Sequence, residues 1–126
     1  MLGGRQVTTM LPVVDMARAR KFYEGSLGLK PAGEKPDGKV VYECRGALIA
    51  LFPRGAPTKA EHTAVSFEVD DIGREVRELT SRGVVFEDYD FPGLKTVDKV
   101  CILGSEKAAW FKDTEGNILC IHEIIR

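Results

Sequence analysis

The sequence is poor in the groups that usually announce chemistry. Its 126 residues include only two histidines, His62 and His122, three cysteines, Cys44, Cys101 and Cys120, and one tryptophan. The cysteines are odd in number and form no CxxC pair, which excludes a disulfide framework or zinc knuckle as the organising device and leaves reduced thiols. There is no surplus of either charge: 18 basic residues stand against 19 acidic ones, for a net charge of -1. A reader of polyanions carries a basic excess, so no nucleic-acid partner is expected. Apolar runs stop after a few residues, against the roughly 20 that a spanning helix needs, so no membrane partner is expected either. Residues 1–9 hold no apolar leader-like stretch, and the expected location is cytoplasmic. Gly-rich phosphate cradles, HExxH and an ordered Ser-His-Asp set are also missing.

What is present is enough apolar material, 44% of residues, for a packed core in a single domain. Val7–Val14 alternates as a strand, with Thr8, Met10 and Pro12 on one side and Val7, Thr9, Leu11 and Val13 on the other. Asp15 stands at an N-cap position, and Met16, Ala19, Phe22, Tyr23 and Leu27 keep helical spacing up to a stop at Gly28. Strands are predicted over Leu29–Gly33, Val40–Cys44 and Ala47–Phe52, turned at Asp37-Gly38 and Arg45-Gly46. The pattern then restarts. Thr63–Val69 alternates, Asp71 caps a helix with the stripe Ile72, Val76, Leu79, and Gly83 ends it. Strands are predicted over Val84–Phe86, Val97–Leu103, Lys107–Lys112 and Ile118–Ile124, the last two joined at Thr114-Glu115-Gly116-Asn117. Asp88–Lys95 reads as an irregular insertion, and Arg18, Arg20 and Lys21 as a solvated helix face.

The order is βαβββ twice, with an offset of about 55 residues. Module one spans about residues 6–53, a linker 54–61 and module two 62–126. Three segments, LPVVDMARARKFYEGSLGL, SFEVDDIGREVRELTSRGVVF and FKDTEGNILCI, follow one another in this order between residues 11 and 121 and so span nearly the whole chain. In them the chain resembles the vicinal oxygen chelate superfamily, which includes glyoxalase I, bleomycin-resistance proteins, fosfomycin-resistance enzymes and extradiol dioxygenases. The resemblance implies an α+β fold in which each module curls its strands into a cup-shaped mixed sheet with the helix outside. It also implies that paired modules form the site, often in a homodimer.

Metal-using members of that superfamily hold four His or Glu ligands on the cup face. Carried over, those positions are Thr8, Ala50, Ala64 and Cys120. Such residues do not supply the convergent imidazole or carboxylate donors that Ni, Zn, Fe or Mn requires, so no metal and no cofactor are expected. Two alternatives stay open. His62 and His122, with Cys120 or alternatively Glu43, could build a displaced metal site, or the histidines could be solvated strand-end residues. Cys120 could be a nucleophile with His122 as its base, or an inert buried thiol. The remaining cup residues suit a small planar or amphipathic guest. Tyr42, Phe52, Tyr89, Phe91 and Trp110 would wall it, and Ala50 and Ala64 would leave room, beside Thr8, His62, Cys120 and His122. Lys95, Lys99 and Lys107 are placed on a solvated face. The expectation is a small-molecule binding protein; the alternative is a lyase, isomerase or dioxygenase using the displaced site.

Overall fold

The computed structural model describes all residues 1–126, and the chain falls into two compact units. The first comprises residues 1–60 together with 113–117, the second residues 61–112 and 118–126.

In the first unit, β1 (Thr8–Val13) leads through Asp15 into α1 (Met16–Arg20). The Asp15 carboxylate accepts from the Arg18 amide at 3.0 Å, satisfying one of the donors that a helix start leaves open. The helix then widens into a π-helical turn over Lys21–Ser26, where the Leu27 amide reaches back five residues to the Phe22 carbonyl. Strands β2 (Pro31–Glu34), β3 (Val40–Cys44) and β4 (Ala47–Pro53) follow. The sheet order is β1-β4-β3-β2, with β1 and β4 parallel and the other pairs antiparallel. Register puts Leu11, Val13, Ile49, Leu51, Val40 and Tyr42 on one face, and all are buried, as are Ala19 and Tyr23 of the helical segment. Each such aliphatic side chain contributes about 1.5–3 kcal/mol of burial, so this face holds the helix in place.

The second unit repeats the plan. It contains β5 (Thr63–Glu68), α2 (Ile72–Ser81), β6 (Asp90–Phe91), β7 (Leu94–Lys95), β8 (Cys101–Leu103), β9 (Glu106–Lys112) and β10 (Ile118–Ile124). Its sheet runs β5-β10-β9-β8, again with one parallel pair, β5 and β10. Asp71 caps α2 through the Arg74 amide at 3.1 Å, and the Glu123 carboxylate takes the Ile72 amide at 2.8 Å. Leu119, Ile121, Phe111 and Ala109 share the buried face on which Ile72 and Val76 pack. The two four-stranded mixed sheets with few helices establish the α+β fold.

Three sequence expectations need correction here. Val84–Phe86 is no strand; only Phe86 makes a single bridge, to Phe111, against whose ring it packs edge-on at 5.3 Å. Val97–Leu103 is not continuous, because Asp98 and Lys99 both take left-handed backbone, with φ 52° and 73°, and fold Val97 back onto Val100. Neither residue is the Asn or Gly that normally signals such a turn, which is why alternation alone ran through it. The insertion 88–95 is regular: β6 and β7 form a two-residue hairpin over Pro92-Gly93, and Thr96 closes its base on the Tyr89 amide and carbonyl. Replacing Asp98-Lys99 by Asn-Gly is expected to stabilise the protein by about 0.5 kcal/mol, since the left-handed strain removed exceeds the entropy glycine adds to the unfolded chain. The check is a raised urea midpoint with an unchanged slope.

Candidate ligand-binding site

In the second unit, the sheet face opposite α2 is set by register. Cys120 lies between Trp110 of β9 and Ser66 of β5, and His122 pairs with Ala108. Ala64, two residues before Ser66, shares this face. The floor is therefore small, Ala64, Cys120 and Ala108, and its margins are aromatic on one side and polar on the other.

The aromatic margin is assembled by the hairpin insertion. Tyr89 packs edge-on against Trp110 with ring centres 5.6 Å apart, and tilted against Phe91 at 5.8 Å. Trp110 is fixed at its other end, its indole Nε1 donating to Thr63 Oγ1 at 3.1 Å. Phe91 is 58% exposed, a surface cost of the kind that a binding lip carries. Burial pushes the Tyr89 hydroxyl up from its ordinary pKa, and the charges of Glu87 and Cys120 add to this. At the polar margin the Ser66 hydroxyl and His122 Nδ1 lie 2.6 Å apart. Burial also pushes the Cys120 thiol up, and the relief from the Ser66 hydroxyl and the Ala109 backbone does not offset it. A thiol held protonated at neutral pH is a poor nucleophile, which favours the inert reading of Cys120.

The other candidate positions are placed differently. His62 is exposed and precedes β5, and no three His, Cys, Asp or Glu side chains anywhere in the chain are grouped to hold a metal ion. The displaced set of His62, Cys120, His122 and Glu43 is thus not assembled. In the first unit, Thr8, Met10, Ala50 and Phe52 share the face turned from α1. Thr8 is exposed, Ala50 is buried, and Phe52 lines an open hollow of about 410 Å³ with Met10 and Pro53. Tyr42 is on the opposite face and lines nothing: it is fully buried, its ring stacks on Tyr23 at 6.1 Å, and its hydroxyl donates to Glu24. A hollow of about 580 Å³ on the α2 side of the second sheet is bordered by Lys95, Lys107 and Glu123, but Glu123 is already engaged by the Ile72 amide.

The four inherited ligand positions fail the test of donor chemistry. Ala50 and Ala64 have no donor atom, Thr8 offers a hydroxyl, and Cys120 a protonated thiol already directed at the Ile121 carbonyl. They do not fit a divalent metal bound through nitrogen and oxygen.

The sequence missed a second polar cluster, in the turn 113–117, where Asp113, Glu115 and Asn117 are all buried. Asp113 Oδ1 accepts from the Glu115 and Asn117 amides at 2.8 Å, and Oδ2 accepts from Tyr23 at 2.6 Å and Asn117 Nδ2 at 2.8 Å. Glu115 accepts from the Val14 and Asp15 amides and from the fork of Arg18. Arg18 and Arg20 are therefore not a merely solvated face: Arg20 bridges Glu24 and Glu34. The turn Asp113-Thr114-Glu115-Gly116-Asn117 reads from the sequence as a polar hairpin turn, and nothing in it names partners some 100 residues away.

The Glyoxalase/Bleomycin resistance protein/Dioxygenase superfamily profile matches residues 5–121, and the chain belongs to that family. Its fold is that of a glyoxalase family protein from Bacillus anthracis, with 16% identity, a TM-score of 0.76, and 95% and 94% of the two chains covered. An antibiotic binding protein from Streptomyces sp. CB03234 is similar at 18% identity and TM-score 0.66, with 98% of each chain covered. A fosfomycin resistance protein from Listeria monocytogenes, solved with Mn(II), is similar at 14% identity and TM-score 0.70, over 97% of this chain and 90% of that one. No curated protein matches the sequence.

Proposed function

We propose that this protein is a metal-free small-molecule binding member of its family. It would take a planar aromatic or amphipathic guest against the Tyr89–Phe91–Trp110 wall. The observation that carries the reading is the exchange on one sheet face: inherited donor positions hold Ala64 and Cys120, while Tyr89 packs on both Trp110 and Phe91 beside them. Stacking on such rings contributes about 0.5–1.5 kcal/mol per aromatic pair beyond the area buried. The fold likeness to an antibiotic binding protein supports the same reading. We take residues 1–126 as one domain of two modules that works as a cytoplasmic homodimer, without nucleic-acid or membrane partners.

Two measurements test this together. Dialysis against Zn, Ni, Mn and Fe(II) is expected to leave well under one metal per chain. Titration with planar aromatic compounds is expected to quench the fluorescence of Trp110, the sole tryptophan, with Tyr89→Ala weakening binding by about tenfold. One tightly held metal per chain, lost in His62→Ala or His122→Ala, would overturn the proposal in favour of an enzyme.

A further inference from the structure

The Ser66–His122 pair is unused by anything derived so far. On the reading above, we infer that it is the polar end of the binding face and selects guests carrying a hydroxyl or carbonyl oxygen on a rigid aromatic scaffold of two or three rings.

The first support is position. Ser66, Cys120 and Trp110 lie side by side on β5, β10 and β9. Adjacent strands are about 4.8 Å apart, so the backbone positions of Ser66 and Trp110 are about 10 Å apart on either side of Cys120, and the Trp110 indole leans across β10 until its Nε1 meets Thr63 Oγ1 at 3.1 Å. A guest stacked on the Trp110 edge and lying over Cys120 brings its far end to Ser66 and His122. Ala64 and Ala108 keep that path clear of long side chains, and a two- or three-ring scaffold spans it.

The second support is the chemistry of the pair. The 2.6 Å contact occupies His122 Nδ1, and no hydrogen bond is made at Nε2. If the Ser66 hydroxyl donates to Nδ1, Nε2–H remains as a donor to the guest. If Nδ1–H donates to Ser66 instead, Nε2 becomes an acceptor and the Ser66 hydrogen can turn from the Cys120 sulfur to the guest. The pair therefore meets an oxygen that either gives or takes a proton, as a phenol does. It also imposes a penalty on a bare hydrocarbon, which would cover these polar atoms without satisfying them. Ser66 is exposed and His122 half-buried, so both are reachable from the face.

The experiment compares biphenyl, 4-methoxybiphenyl and 4-hydroxybiphenyl by quenching of Trp110. The hydroxyl compound is expected to bind five- to tenfold tighter than biphenyl, about the worth of one net hydrogen bond. Ser66→Ala and His122→Phe should each reduce that ratio to within twofold, with biphenyl binding the variants more tightly than the parent because no polar atom is left covered and unsatisfied. Ser66→Thr, which keeps the hydroxyl, should restore it and so guards against a merely structural loss. Equal binding of all three compounds to the parent protein would overturn this inference and leave the binding reading standing. Absence of quenching by any of them would overturn both.

Discussion

Glu115→Ala is expected to lower the stability of the protein by about 3–4 kcal/mol, a fall in Tm of about 15 °C. The Glu115 side chain is fully buried, and alanine would leave the Val14 and Asp15 amides and the Arg18 fork without their acceptor. The carboxylate also makes the fold sensitive to acid. Burial pushes its pKa up, but hydrogen bonds from Arg18, the Asp15 amide, Thr114 and the Val14 amide outweigh burial and hold it near about 2, against 4.5 when unperturbed. A lowered folded-state pKa means stability that is complete above the unfolded value and is lost as pH falls through the folded one. About 3 kcal/mol should therefore disappear between about pH 5 and pH 2. Urea midpoints measured across that window check both statements, because Glu115→Gln should be weaker at pH 7 and should lack this share of the acid dependence. An unchanged acid profile in the variant would remove Glu115 from the account.

Asp113→Ala should cost a comparable 3 kcal/mol or so, since four hydrogen bonds converge on one buried carboxylate. Tyr23→Phe, which removes one of the four donors but keeps the ring, should cost only about 1–2 kcal/mol. If the two act through their 2.6 Å contact, the double variant will be less damaged than the sum of the singles. Simple additivity would show that the Tyr23 hydroxyl does not act through Asp113.

Much of the fold was legible because its signals are local. Asp15 and Asp71 cap where N-caps were read, Val40–Cys44 and Ile118–Ile124 are strands over those same residues, and the repeated order survives in two sheets of like topology. What escaped was non-local or chemically atypical. The Asp98-Lys99 reversal puts Lys99, which has no preference for left-handed backbone, where a glycine would have signalled the turn after Asp98. Tyr42 lies in a run of three consecutive buried residues, so alternation could not say which face it took, and its partner Glu24 is 18 residues away. For the site, Trp110, Tyr89 and Phe91 were named from the sequence and do meet. Ser66 was not named, because a lone serine on a polar strand face gives no signal until β10 places His122 beside it.

The membership of residues 113–117 in the first unit has a bearing on how the chain is made. A ribosome that has released only residues 1–60 has produced every strand of the first sheet, yet the Val14 and Asp15 amides and the Tyr23 hydroxyl still lack Glu115 and Asp113. The earlier half must wait, incompletely satisfied, for almost the whole of the later half to emerge. The two modules are repeats in pattern, but the first borrows its last acceptors from the second, so residues 1–60 made alone are expected to be less stable than in the full chain.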